Sequence, residues 1–304
     1  MFAKRMMKNA ADEELIPHEI FSKKGSHTVN AIMCKTFFCD ISKVLHWPAG
    51  LGGCNFGDCY DRGAHLPGII ASQVWGISIE SVKVLLIVLK RMQFCLRMGF
   101  GELKEFYGGS LDDPIFGFGQ GNGTPPAFLC LSLLIMNVYQ RMDNGANMTS
   151  TYTCRMFLLS AVMYVDNTDL LHLAPSQEMS DEELITQVEE STKMWGELAQ
   201  VTGGALKQSN WFIYFIPTSL LVAKPVSKRS KISHPQEVLS LQRTGGSIPS
   251  HISVTQPDGS TVPIPTLEVD EPSKMLGIYF CPAGDGTKHV TSMTAKGASW
   301  LDRL

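Results

Sequence analysis

Residues 161–172 read AVMYVDNTDLLH: apolar or aromatic from Ala161 to Val165, then the polar run Asp166, Asn167, Thr168 and Asp169, then Leu170 and Leu171. This profile predicts a β-hairpin, two short apolar strands with the polar residues at the turn between them. Buried strands would hold acids at the tip rigidly, and oxygen ligands suit Mg²⁺, so the hairpin is a candidate metal mount with Asp166 as ligand. An acidic residue in a turn is, by itself, more often only a turn former. Its weight depends on the company it keeps.

The chain of 304 residues is long enough for one large domain or two small ones, and 44% hydrophobic with 18% charged content is ordinary for a globular protein. No run approaches the roughly 18 apolar residues of a membrane helix. The opening MFAKRMMKNAADEE lacks the apolar core of a signal peptide, so an intracellular setting is expected, nucleus or cytoplasm, without a membrane. The eight cysteines are scattered. Cys34/Cys39 and Cys54/Cys59 match zinc spacings only loosely and have no histidine at ligand distance, which favours buried free thiols. A net charge of −3 gives no global footprint for nucleic acid, and the basic clusters (Lys4, Arg5, Lys8; Lys224, Lys228, Arg229, Lys231) are small. Nucleic-acid binding would have to be local.

Residues 1–24 are polar and short of periodicity, and a loose arm is expected there. From Thr28 to Leu45 the apolar residues Val29, Ile32, Met33, Phe37, Ile41 and Val44 recur every three or four positions, predicting an amphipathic helix stopped by Pro48. PAGLGG then reads as a turn, and CNFGDCYDR (54–62) leads into further helix. A longer helix is predicted from Ile79 to about Met98, with Val82, Leu85, Leu86, Leu89, Met92 and Leu96 on its apolar side. FGFGQGNGTPP (116–126) is a Gly-rich loop before the apolar run Ala127–Tyr139. Ser180-Asp-Glu-Glu183 is a capping box for a helix running to about Val201 and ending at Gly203-Gly204. Ala205–Phe215 reads as a strand, residues 224–247 as a polar insert, Ile252–Ile264 as a hairpin about Pro257-Asp258-Gly259, and Lys274–Cys281 as another strand. The element order predicts an α+β fold, an antiparallel sheet covered by helices on one face.

Five stretches, in order and at plausible spacing, resemble one family: NFGDCYDR (55–62), GFGQGNGTPP (117–126), YVDNTDLL (164–171), TGGAL with its following aromatic strand (202–215) and KMLGIY (274–279). Together they resemble the palm of retroelement reverse transcriptases, RNA-directed DNA polymerases, and most of all those of eukaryotic retrotransposons. The resemblance runs from about Gly25 to the C-terminus. It implies a polymerase-type palm over 25–304, with the start of a thumb connection at its end. It also implies nucleotidyl transfer to a primer 3′-OH with Mg²⁺ (or Mn²⁺), and as partners an RNA or DNA template, its primer and deoxynucleoside triphosphates. By the same resemblance Asn55 stands where the first motif has a metal-binding Asp, and Tyr60 stands at the aromatic gate against a ribose 2′-OH. Gln120 and Gly121 would lie against the incoming nucleotide. Asp166 and Asn167 occupy the two acid positions of the hairpin, and Asn210 the place of a Lys near the leaving pyrophosphate.

Transfer of this kind uses two metal ions about 3.5–4 Å apart, held by bridging acids. Asn keeps the shape of Asp without its charge, offering one carbonyl ligand in place of two anionic oxygens. Loss even of groups that only orient ligands costs about 10–100-fold. With Asn55, Asn167 and Asn210 in place of charged groups, little or no polymerisation is expected. Asp58 would face the opposite side of a strand from Asn55, and Asp61 belongs to a helix start. Two other functions compete: a non-catalytic nucleic-acid-binding or interaction protein on a palm fold, and an unrelated metal hydrolase using Asp166 and Asp169.

Overall fold

The computed structural model describes residues 2–23, 25–57, 59–109, 117–118, 125–142, 145–149, 153–216, 220–222, 239–241, 248–255, 259–275 and 278–301. Its helices are α1 (Phe2–Asp12), α2 (Thr28–Leu45), α3 (Cys59–Arg62), α4 (His65–Val74), α5 (Ile79–Lys90), α6 (Pro125–Arg141), α7 (Asp181–Val201) and α8 (Thr287–Leu301). The strands are β1 (Ala49–Gly57), β2 (Gln93–Met98), β3 (Gly101–Gly108), β4 (Ala146–Thr149), β5 (Met156–Leu159), β6 (Ala161–Tyr164), β7 (Asn167–Leu173), β8 (Ala205–Leu206), β9 (Phe212–Ile216), β10 (Leu220–Val222), β11 (Leu239–Leu241), β12 (His251–Thr255), β13 (Thr261–Leu267), β14 (Ser273–Met275) and β15 (Ile278–Phe280). No helix among the described residues is long and apolar enough to cross a membrane. Two compact units divide the chain: Met1–His18, Phe56–Met142 and Met194–Lys207 form the first, and Glu19–Asn55, Asp143–Lys193 and Gln208–Leu304 the second.

The second unit is built on a sheet in the order β12-β13-β9-β1-β7-β6. Every pairing is antiparallel except β13 with β9. Alternate residues of a strand share a face. On one face Ala49 and Leu51 of β1, Leu171 and Leu173 of β7, and Tyr214 and Ile216 of β9 pack with Ala31, Phe38 and Cys39 of α2. Full burial of one such aliphatic or aromatic side chain contributes about 1.5–3 kcal/mol, so this cluster anchors α2 to the sheet. On the other face Gly50 and His172 lie opposite each other. A Cβ on Gly50 would come 2.7 Å from Val188 of α7, and the Ser191 hydroxyl of that helix lies 2.9 Å from His172 Nε2. Helices therefore cover both faces of the sheet, not one.

In the first unit Trp195, fully buried, meets Tyr139 edge-on at 5.2 Å between centroids and lies 6.1 Å from Phe56. A second cluster gathers Ile69 of α4, Val82, Leu85 and Leu89 of α5, and Phe118. The end of β1 pairs here with β8, Phe56 opposite Leu206.

Several sequence expectations hold locally. α2 spans Thr28–Leu45, ending at His46 with φ 54 before Pro48. At the start of α7 the capping box is made: Ser180 N–H donates to Glu183 Oε2 at 2.9 Å, and Glu183 N–H donates to Ser180 Oγ at 3.2 Å. The hairpin after Pro249 is β12–β13. Others fail for identifiable reasons. After Pro48, AGLGG is strand, not turn, because the sheet needs glycine where neighbours crowd it, at Gly50 and Gly53. The helix from Ile79 stops at Lys90, and Gln93–Met98 pairs with Gly101–Gly108 as a hairpin. Ala205–Phe215 is interrupted by a 3₁₀ turn at Gln208–Asn210. Lys274–Cys281 folds back as β14–β15. Residues 2–12 are helical, with Met6 and Ala10 buried, where a loose arm was expected. Within α2 the apolar stripe Val29, Met33, Phe37 and Val44 is exposed, and the buried side carries Ala31, Lys35, Phe38, Cys39 and Ser42. The insert 224–247 lies outside the described residues except for Leu239–Leu241.

Candidate functional site

β1 and β7 pair without interruption from Ala49 opposite Leu173 to Asn55 opposite Asn167. Residues facing each other in an antiparallel pair share a face. Leu51, Gly53 and Asn55 therefore line up with Leu171, Asp169 and Asn167 on the side that α2 covers. Beyond Asn167 the hairpin closes through two residues only, since Tyr164 pairs with Asn167. The turn is Val165-Asp166, not Asp166–Asp169 as the polar run suggests. Val165 has φ 59, the first central position of a II′-type turn, which glycine normally fills. A β-branched residue there costs roughly 1–2 kcal/mol. Of the polar residues after it, Asn167 finds a partner across the sheet and Asp169 one from α2, while Thr168 pairs with Cys54 through the backbone.

Asn55 Nδ2 donates to Asn167 Oδ1 at 3.3 Å, and Asn167 Nδ2 donates to Asp166 Oδ1 at 3.1 Å. Three positions singled out by sequence thus form one hydrogen-bonded chain at the end of the sheet, all half-buried. Asn210 sits in the 3₁₀ turn, exposed, its Oδ1 accepting from Ser209 Oγ at 3.3 Å. Asn55, Asn167 and Asn210 border the same cavity of about 370 Å³, in the range of small-molecule sites. Tyr60 belongs to the first unit, on α3, packed against the Ile69–Phe118 cluster. Gln120, Gly121 and Asp58 lie outside the described residues; Asp61 is an exposed residue of α3.

Asp169 is not a second ligand beside Asp166. Its carboxylate is buried and its Oδ2 lies 3.0 Å from Lys35 Nζ, itself buried and 4.5 Å from the centroid of the Phe280 ring. Burial pushes the Asp169 carboxyl up and Lys35 pulls it back down. A hydrolase using Asp166 and Asp169 would have to take Asp169 from this pair. Burial also pushes the Cys39 thiol up to about 12 and the Cys34 thiol to about 11.

A pair of divalent ions needs several anionic oxygens. Here Asp166 is the one carboxylate at the tip, and its Oδ1 is engaged by an amide. Among the described residues no group of three or more His, Cys, Asp or Glu is placed to hold a metal ion. Two unit charges about 5 Å apart interact by about 3 kcal/mol at an effective dielectric near 20. Three carboxylates would repel on that scale without cations, whereas two amides and one carboxylate satisfy one another. Among the described residues the tip offers one carboxylate, fewer than a two-metal centre needs.

Sequence reasoning missed Lys35, Lys274 and Trp211. Lys35 was legible as a cation among the apolar neighbours of α2. Lys274 was inside a quoted motif without a role; exposed on β14, it borders the cavity together with Trp211 and Phe212 of the β9 region.

No known protein family matches the sequence, and no curated protein does. Solved structures do match, among them apo telomerase from Candida tropicalis truncated from its C-terminal domain, at a TM-score of 0.43 and 10% identity over 70% of this chain. The chain spans about two-fifths of that one, 39% of its length.

Proposed function

We propose that this chain is a reverse-transcriptase-type palm of retrotransposon kind whose catalytic acids have been reduced to one, so that it engages nucleic acid and nucleotide but synthesises DNA poorly. The observation that carries this reading is the register of β1 against β7. It sets Asn55 opposite Asn167 and next to the Asp166 turn, which are the three positions where the resemblance expects acids. Its expected partners are an RNA or DNA template with a primer, and deoxynucleoside triphosphates. Attack of the primer 3′-oxygen on the α-phosphorus, with pyrophosphate leaving, needs the hydroxyl activated and the phosphoryl charge neutralised. Asn55 and Asn167 supply neither: Asn167 donates to Asp166 Oδ1, and Asn55 donates to Asn167.

Primer extension on a homopolymer template in Mg²⁺, then in Mn²⁺, tests this. The double change Asn55→Asp, Asn167→Asp is expected to raise the rate by more than about 100-fold, beyond the loss typical of groups that merely orient ligands. Asp166→Ala added to that background should abolish it. A native chain that extends as fast as the double variant, or a double variant silent in both metals, would refute the reading.

A further inference from the structure

The same cavity has a charge pattern opposite to that of an acid-lined polymerase site. Its polar wall is formed by Asn55, Asn167, Ser209 and Asn210, and its cation is Lys274. Lys274 has no ion-pair partner among the described residues. The one carboxylate in the wall, Asp169, is neutralised from behind by Lys35 at 3.0 Å. Among the lining residues, Trp211 Nε1, Ser273 Oγ and the Asp169 carboxylate oxygens are buried without a hydrogen-bond partner, Asp169 having the Lys35 ion pair. Trp211 is only 3% exposed and Ser273 9%, and such groups are costly to leave unmet. Donors and one positive charge around a cavity of this size suit an anion with acceptor oxygens.

From this we infer that the cleft binds a phosphate-bearing nucleoside ligand directly, without a divalent cation, with Lys274 meeting the phosphate and the amides and hydroxyls taking its remaining acceptors. A metal-dependent site needs the cation partly because its carboxylates repel phosphate; here Asn55 and Asn167 carry no charge and Asp169 is paired with Lys35. The nucleoside identity rests on the palm reading above, while the independence from metal rests on the cavity itself. Two sources share the chemistry: a free deoxynucleoside triphosphate and the end of a nucleic-acid strand.

Isothermal titration of the full chain in excess EDTA distinguishes them, using thymidine triphosphate in one arm and a short single-stranded DNA in the other. Binding in at least one arm, unchanged when Mg²⁺ replaces EDTA, is the expected result, and the arm that binds identifies the source. Lys274→Gln, a change at an exposed position, should weaken it about tenfold or more, the loss expected for a charge-assisted hydrogen bond. Lys274→Arg should retain it, and circular dichroism confirms that both variants fold. Asn55→Asp, Asn167→Asp should make binding depend on Mg²⁺. Binding that disappears in EDTA, no binding in either arm, or an affinity indifferent to Lys274→Gln would overturn the inference. If the Asp double variant never extends a primer yet native binding in EDTA stands, the palm reading alone fails. If the double variant extends but the native chain does not bind in EDTA, this inference alone fails.

Discussion

Asn167 and Asp169 stand two residues apart on the same face of β7, and their fates differ. Asp169 is tolerated in the core because α2 brings Lys35 to 3.0 Å from it. Asn167, at the cavity, is an amide that donates to Asp166 and accepts from Asn55. A buried carboxylate tolerates the interior only beside a fixed cation of its own chain. A carboxylate at the rim of a cleft would need mobile cations instead, and an amide needs none. The chain thus keeps an acid where folding uses it and has an amide at the rim of the cleft.

The sharpest way to break that contrast is Lys35→Met. It leaves Asp169 buried and uncompensated, and should cost about 3–5 kcal/mol in chemical denaturation. Adding Asp169→Leu should recover most of the loss, since a buried pair contributes little net beyond an apolar replacement. A cost under about 1 kcal/mol, the scale of an exposed pair, would show that the pair is solvated and the contrast empty.

Next in size is the opposite face. His172 is buried against Ser191, and burial lowers its pKa to about 4. The unfolded chain binds this proton from about pH 6.5 downward and the folded one only near 4, so stability falls as pH drops through that window. The loss between pH 7 and pH 4 should be about 3 kcal/mol from this residue. His172→Gln should flatten the dependence over that range. Equal slopes in native and variant chains would remove the residue from the account.

The smallest effect expected is at Gly53, opposite Asp169. A Cβ there would stand 2.3 Å from Phe212 Cζ. Gly53→Ala should cost about 1–3 kcal/mol by overpacking, and Phe212→Leu in the same chain should return part of it. Full stability in the single variant would mean that the ring yields freely into the cleft.

Local signals were legible wherever a short stretch carries its own partner. The capping box at Ser180 and Glu183 closes within four residues, and α2 stops where His46 turns left-handed before Pro48. The alignment of Asn55 with Asn167 could be expected only from resemblance, since 112 positions separate them. The errors share one cause. PAGLGG looks like a turn because glycine is flexible, yet Gly50 and Gly53 sit in the middle of a sheet because Val188 and Phe212 occupy the space of their side chains. Asp166–Asp169 looks like a turn because it is polar, yet only Val165 and Asp166 turn. The apolar stripe of α2 at Val29, Met33 and Phe37 looks like a core face, yet Ala31, Phe38 and the paired Lys35 are the ones buried.

By itself the sequence determined where α2, α5 and α7 begin and which segments are rich enough in β-branched and aromatic residues to be strands. These depend on backbone preference and side-chain chemistry within a few residues. Only the tertiary structure decided that Asp169 belongs to the core, that glycines line a central strand, and that Lys274 and Trp211 border the same cleft as Asn55. Each of these depends on a neighbour far away in the chain, and burial, not local preference, sets the energy of a charge or the room for a side chain.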